Sequence, residues 1–211
     1  FEDQKQPDER SFLGIFENGT VTDLREIKHF HSYAQYGNKI YFLNKGYYRT
    51  FDGSNWIETR TDAIGKNPKA VIDDNGIWVL SEIKNNKALT LIKADEISSV
   101  PLPEEYASDK GICISSAELL SFQGRLYLIW SSERLLYFAS YDGKEWGVSE
   151  PVENNGQIRV VADDKRMYLF RSHFEQNPDI SLSVYENGAW GDAASLNING
   201  FFIDWTPLVH K

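Results

Sequence analysis

The stretch Tyr141-Asp142-Gly143-Lys144-Glu145-Trp146 decides the fold, because near-copies of it recur along the chain. The copies are Phe51-Asp52-Gly53-Ser54-Asn55-Trp56 and Tyr185-Glu186-Asn187-Gly188-Ala189-Trp190. Each begins with an aromatic residue, continues with an acid and turn residues, and has a Trp five places after the aromatic. Asp-Gly and Asn-Gly pairs accept the positive backbone φ of tight hairpin turns, and aromatic residues favour strands. Each copy therefore predicts a β-hairpin.

A second signal alternates with the first, and consists of turn residues followed by an apolar run that carries an aromatic at its third or fourth place. Its aromatics are Tyr41, Trp78, Tyr127 and Tyr168, which stand 37, 49 and 41 residues apart. Two hairpins repeated with a period of about 40 to 50 residues are typical of four-stranded propeller blades. The pattern predicts an all-β protein.

The two signals predict four blades, over about residues 30–60, 69–102, 112–151 and 157–196. In the second blade the outer hairpin keeps a turn at Ala94-Asp95 but lacks the aromatic and the Trp. The hairpin over 11–27 and a strand within 200–208 would complete a fifth blade from the two termini, which would remove exposed edge strands. We therefore predict a β-propeller of five four-stranded blades, the last closed by the N- and C-terminal strands. A fragment of a longer propeller is the alternative.

The composition bounds the class of protein. The 211 residues carry a net charge of −9 and no basic run, which argues against nucleic-acid binding because no cluster of cations could displace the counterions of phosphates. No apolar stretch approaches the roughly 18 residues of a membrane span. Residues 1–10 are polar and predict a tether, whereas 11–211 predict a single domain. Because the sequence begins with Phe1, we expect a processed or truncated chain, extracytoplasmic or secreted.

The motif search yields no catalytic residue, metal site or cofactor. Cys113 stands alone in an apolar run and predicts a buried, inert thiol. His29 and His31 would share one face of a strand, yet no third ligand lies near in sequence, so a solvated pair is preferred over a metal site. Asp73-Asp74 and Asp163-Asp164 predict turns.

The hairpins resemble those of known propeller families. Ser140-Tyr141-Asp142-Gly143-Lys144-Glu145-Trp146 and Thr50-Phe51-Asp52-Gly53-Ser54-Asn55-Trp56 are similar to the Ser/Thr-x-Asp-Gly-x-x-Trp hairpin of five-bladed glycoside hydrolases, to the Asp-box of sialidase-like propellers, and to the turns of lectin propellers. The copies are one residue shorter than the Asp-box between Asp and Trp. The resemblance implies a structural role for five residues, namely Asp52, Trp56, Asp142, Trp146 and Trp190.

The same resemblance argues against catalysis. The Arg-Asp-Pro and Glu-Gly-Pro stretches of the five-bladed hydrolases and the Arg-Ile-Pro stretch of the sialidases do not occur in this sequence. An enzyme is therefore the less favoured interpretation.

A binding face is predicted where the second strand of each blade turns into the third. The loops there are 45–47, 82–87, 130–134 and 171–179, and the candidate ligand-binding residues are Trp130, Glu133, Arg171, His173, Asp204 and Trp205. Aromatic rings with carboxylates and Arg nearby suit sugar hydroxyls or the loop of a protein partner. We predict a non-catalytic module that binds a glycan or a protein. The alternatives are a glycoside hydrolase or sialidase-like enzyme, and a structural or oligomerisation domain.

Overall fold

The computed structural model describes residues 11–17, 20–27, 31–154, 156–173 and 179–199, and their regular secondary structure is almost entirely β-strand. The short helix α1 (Glu104–Ser108) and a 3₁₀ turn (Ile114–Ser116) lie in the segment before the third large sheet. None of the helices in the described ranges is long and apolar enough to cross a membrane. The predicted all-β class is confirmed.

Among the residues that the structure describes, the first two strands pair only with each other. Strands β1 (Ser11–Glu17) and β2 (Thr20–Ile27) form an antiparallel two-stranded sheet. Sheet I follows and has four strands in sequence order, which are β3 (Ser32–Tyr36), β4 (Lys39–Asn44), β5 (Tyr47–Phe51) and β6 (Trp56–Arg60).

Sheets II, III and IV repeat the meander of sheet I. Sheet II contains β7 (Lys66–Asp73), β8 (Gly76–Ile83), β9 (Asn86–Lys93) and β10 (Glu96–Val100). Sheet III contains β11 (Ala117–Phe122), β12 (Arg125–Ser132), β13 (Leu135–Tyr141) and β14 (Trp146–Val148), with β15 (Val152–Glu153) also on β13. Sheet IV contains β16 (Gly156–Ala162), β17 (Met167–His173), β18 (Asp179–Glu186) and β19 (Ala189–Trp190), with β20 (Ala194–Asn199) also on β18.

The core lies between successive sheets, because each strand places alternate side chains on opposite faces. Leu43 and Val79 belong to the cluster between sheets I and II, and Leu80 and Leu128 to the cluster between sheets II and III. Leu169 belongs to the cluster between sheets III and IV. The first strands β3, β7, β11 and β16 also contact one another in turn, so each sheet presents its first strand to its neighbours.

The closed five-bladed propeller is not confirmed. The structure describes four separate sheets of four or five strands, and within the described residues the N-terminal hairpin forms a two-stranded sheet of its own. The strand predicted within 200–208 lies outside the described residues, as does the tether over 1–10. Local hairpin signals indicated each meander, but they carry no information about how the ends of the chain are joined.

Backbone conformation explains why the hairpins form. Consecutive residues with positive φ occur at Lys84-Asn85, Ala94-Asp95 and Glu133-Arg134, as two-residue hairpin turns require. Ala94 has a φ of 49°, although only Gly, Asn and Asp accept this region readily. The turn in sheet II therefore persists without the aromatic and Trp of the repeated motif.

The acids of the repeated motif act within their turns. Asp142 Oδ1 accepts hydrogen bonds from the backbone N–H groups of Lys144 (2.9 Å) and Glu145 (3.1 Å), and Asp52 makes the same pair with Ser54 and Asn55. Asp163 accepts from the backbone of Lys165 and Arg166. Such Asx turns satisfy backbone donors at the hairpin tip. They form on a short sequence alone, whatever family the protein belongs to.

This turn chemistry predicts a pH dependence that Asp142→Asn should weaken. The backbone donors of Glu145 and Lys144 hold the pKa of Asp142 below its usual value. The stability that the carboxylate contributes is therefore present above the unfolded-state pKa of about 3.9, and is lost as the pH falls through the lower folded-state pKa. We expect the thermal midpoint to drop between about pH 5 and pH 2, and to drop less in Asp142→Asn. Asp164→Asn is the control, and an equal pH slope in both variants would contradict the prediction.

Candidate functional site

A cleft of about 390 Å³ opens between sheets I and II, and we call it the lysine cleft. Its walls come from the β4–β5 turn, the link between β6 and β7, and the β8–β9 turn. The residues that line it are Lys45, Gly46, Asp62, Ile64, Gly65, Lys66, Glu82, Ile83, Lys84 and Asn85. Its volume is within the range of small-molecule sites, which is roughly 300–1,000 Å³.

The lining of the lysine cleft is charged. Three cations, Lys45, Lys66 and Lys84, face two carboxylates, Asp62 and Glu82. In a chain with a net charge of −9, this is a local reversal of sign. The lining carries a net charge of +1, and a positive concave surface raises the local concentration of anions. The cleft therefore favours an anion that also carries hydrogen-bond donors for the two carboxylates.

Hydrogen bonds hold the floor of the cleft in place. The backbone N–H of Gly46 donates to the carbonyl of Ile64 (2.8 Å), and that of Thr61 donates to the carbonyl of Gly46 (2.9 Å). The backbone N–H of Gly65 donates to the hydroxyl of Ser81 (2.9 Å), which is buried in β8. These bonds tie the link between sheets I and II to both of its neighbours, so the charged side chains project from a fixed backbone.

A second charged group, which we call the axial cluster, joins the first strands of sheets II, III and IV. Arg159 Nη1 lies 2.8 Å from Glu118 Oε1, and Lys69 Nζ lies 3.9 Å from the same oxygen. Lys69 also donates to the backbone carbonyls of Ser115 and Ala117. Burial lowers the pKa of Lys69, and the Glu118 carboxylate opposes that shift.

The members of the axial cluster occupy equivalent positions in the three sheets. Lys69 pairs with Leu80, Glu118 with Ile129 and Arg159 with Phe170, and each partner lies two residues after the repeated aromatic of its second strand. The equivalent position of sheet I is Ser32, which pairs with Leu43. The repeat therefore delivers one polar or charged residue per sheet to the line along which the first strands meet. Because the cations are bonded to a carboxylate and to carbonyls, we interpret the cluster as a link between sheets.

The segment between β10 and β11, residues 101–116, covers the part of sheet III in which Trp130 is predicted to bind a ligand. Lys87 Nζ donates to the carbonyls of Tyr106 and Asp109 and lies 4.5 Å from the centre of the Tyr106 ring. Asp109 Oδ2 accepts from the Ser132 hydroxyl (2.6 Å), which helps to hold the pKa of Asp109 below its usual value. Trp130 is 1% exposed, and its ring stacks on Tyr137 at 5.0 Å. Its faces are occupied by protein.

The other predicted site residues are not brought together. Glu133 lies in the β12–β13 turn with a φ of 48°, and Arg171 is half-buried in β17. His173 ends β17, and its side chain lies outside the described residues, as do Asp204 and Trp205. The ligand-binding role of this set stays a prediction. The loops 45–47 and 82–87 of the predicted binding face do contribute to the lysine cleft, whereas the link over 61–66 carried no motif that could have indicated it.

The aromatic and acidic residues predicted as structural lie in ring contacts and turns. Trp56 packs on Phe51 (4.9 Å between ring centres), and Trp190 packs on Tyr185 (5.2 Å). Trp146 packs on Tyr141 and donates its indole N–H to the carbonyl of Pro101 (2.7 Å).

The prediction of a buried thiol at Cys113 is wrong, because the residue is exposed. The run that contains it is not a strand. Ile112 and Ile114 are buried on either side, and the alternation turns Cys113 outward. Within the described ranges, no group of three or more His, Cys, Asp or Glu side chains could hold a metal ion.

Comparisons with known proteins do not assign a family. No family model matches the chain, and no curated protein matches it. The structure is similar to the crystal structure of a candidate 6-phosphogluconolactonase from Bacteroides uniformis, with a TM-score of 0.47 and 16% sequence identity over 90% of this chain. The chain spans 64% of the length of that structure. A likeness of this size assigns no activity.

These findings correct two predictions. The resemblance to sialidase-like, five-bladed glycoside-hydrolase and lectin propellers is wrong, because no family model matches the chain and the four large sheets described are separate. The predicted glycan- or protein-binding module is contradicted as well, because nothing in the comparisons supports non-catalytic carbohydrate binding. The physical reason is the generality of the Asx turn, which marks hairpins and not a family. The leaning against an enzyme stays a prediction.

Proposed function

We propose that this protein binds a small, negatively charged, hydroxylated metabolite in the lysine cleft. The observation that carries the proposal is the convergence of Lys45, Lys66 and Lys84 on one cleft of about 390 Å³ in an acidic chain. Ammonium groups suit phosphate or carboxylate oxygens, because each offers three donors and a full charge. Asp62 and Glu82 supply acceptors for hydroxyl groups on the rest of the ligand.

The geometry of the cleft favours a compact ligand. Gly46 lies in its lining, and the space that a side chain would take there is open, which lets a ligand approach the backbone. The hydrogen bonds of Gly46, Thr61 and Gly65 organise this floor before a ligand arrives, which lowers the entropy cost of binding.

The test is isothermal titration with three probes, inorganic phosphate, glucose 6-phosphate and glucose. We expect the two phosphates to bind and glucose to bind at least about tenfold more weakly, which corresponds to about 1.4 kcal/mol. Binding should weaken as ionic strength rises, because salt screens the lysines.

Lys66→Gln should weaken glucose 6-phosphate binding at least about tenfold, since it removes one cation but keeps the length and polarity of the side chain. Lys93→Gln is the matched control, because Lys93 is exposed at the end of β9 and does not line the cleft. Equal affinities for glucose and glucose 6-phosphate, or unchanged binding in Lys66→Gln, would overturn the proposal.

A further inference from the structure

Arg171 places a cation on an apolar face of sheet IV. It pairs with Ile158 of β16 and with Ser181 of β18, so these three residues share one face of the sheet. Ile158 and Leu169 on the same face belong to the core cluster between sheets III and IV. The guanidinium therefore lies at the edge of a hydrophobic interface, where a charge is costly unless it is compensated.

The contacts of Arg171 do not compensate its charge. Nη2 donates to the hydroxyl of Ser183 (3.2 Å), and the buried Nε has no hydrogen-bond acceptor among the described residues. No described carboxylate forms an ion pair with it. Burial also lowers the pKa of Arg171, as expected for a cation withdrawn from water without a counter-charge.

Three other arginines in the described ranges are paired with a carboxylate. Arg49 lies 2.8 Å from Glu58, Arg159 lies 2.8 Å from Glu118, and Arg166 lies 3.1 Å from Glu186. Arg171 is more buried than a surface cation, yet among the described residues its side-chain partner is the neutral Ser183. The fold leaves at this point a guanidinium with free donor capacity.

We propose that Arg171 is the cationic centre of a second ligand site, between sheets III and IV, that binds the oxyanion group of a small molecule, a phosphate or a carboxylate. A guanidinium presents N–H donors in a planar fork that matches two oxygens of such a group. The Ser183 hydroxyl accepts a hydrogen bond from Nη2. Because the guanidinium is planar, this bond also fixes the direction of the unpaired Nε–H. This site lies two sheets away from the lysine cleft and does not depend on it.

The first test compares thermal midpoints of Arg171→Met and the wild type at low ionic strength, with and without phosphate or acetate. Saturating anion should raise the wild-type midpoint by about 2–4 °C more than that of Arg171→Met, whose remaining response comes from the lysine cleft. Without anion, Arg171→Met should melt no lower than the wild type, because an apolar isostere removes an uncompensated charge. Arg166→Met is the control and should keep the anion response, since Arg166 is exposed and paired with Glu186.

The second test observes the guanidinium itself. In ¹H–¹⁵N spectra of the wild type, the arginine Nε–H signal that is missing from Arg171→Lys should shift when phosphate or acetate is added and stay in place with chloride. The larger shift identifies phosphate or carboxylate as the preferred group. Lys66→Gln should keep this response, which separates the outcome from that of the lysine cleft. A static Nε–H signal, an Arg171→Met midpoint that falls without anion, or an anion response in Arg171→Met as large as that of the wild type would overturn the proposal.

Discussion

Replacing Trp130 with alanine is expected to lower the free energy of unfolding by about 3–5 kcal/mol. The ring is 1% exposed and stacks on Tyr137 with an angle of 4° between the planes. Its other neighbour is Tyr106, which is fully buried at 5.2 Å. Removing the indole leaves a cavity that strands β12 and β13, which are paired along their length, cannot collapse to fill. Urea denaturation followed by far-UV circular dichroism measures the loss.

Ile57→Thr is the control for the Trp130 prediction. Ile57 lies in β6 and is 54% exposed, and threonine keeps the branched side chain that favours a strand. We expect a change of about 0.5 kcal/mol or less. If Trp130→Ala were as stable as Ile57→Thr, the packing of residues 101–116 over sheet III would not be part of the core.

Replacing Gly65 with alanine is expected to cost about 3 kcal/mol, at the upper end for overpacking, and to abolish binding in the lysine cleft. A Cβ at this position would overlap the carbonyl group of Glu82 and the backbone nitrogen of Ile83. These are backbone atoms of β8, so no side chain can rotate away to make room. Gly65 and Glu82 both line the cleft, and relief of the overlap must therefore deform it.

Gly147→Ala is the matched control for this prediction. The nearest atom to an added Cβ at Gly147 would be the Ser140 hydroxyl oxygen at 3.8 Å, an ordinary contact distance. We expect its urea midpoint and its titration with glucose 6-phosphate to match those of the wild type. A Gly65→Ala variant that binds this probe like Gly147→Ala would show that the cleft is not the binding site.

The repeated hairpin motif, with its aromatic residue and its Trp, predicts most of the local strand and turn structure. The range of about 30–60 predicted for the first four-stranded unit contains the four strands of sheet I, and the turn predicted at Ala94-Asp95 is observed in sheet II. Such features depend on residues within about six positions of one another, where backbone preference and strand alternation act directly. The all-β class follows from the same signals.

The candidate site depends on contacts that the sequence pattern does not predict. The lysine cleft joins residues from three separate connections, and the link over 61–66 has no motif. Trp130 follows an apolar strand and was predicted to bind ligand, yet residues 101–116 fold over it. The apolar neighbours of Cys113 predict a buried thiol, yet residues 111–113 form no strand and the thiol is exposed. Each outcome depends on which distant segment packs against a residue.

The sequence by itself determined that this chain forms antiparallel meanders, since Asp-Gly and Asn-Gly turns and alternating apolar residues act over short distances. The tertiary structure alone decided where unlike charges meet and where they do not. Glu118 compensates Arg159, whereas Arg171 on the same strand pair has no described carboxylate beside it. Nothing in the sequence distinguishes Arg159 from Arg171, and each could equally lie on the surface. Electrostatic compensation depends on distances of a few ångströms between residues that are far apart along the chain, and those distances exist only after the sheets have packed.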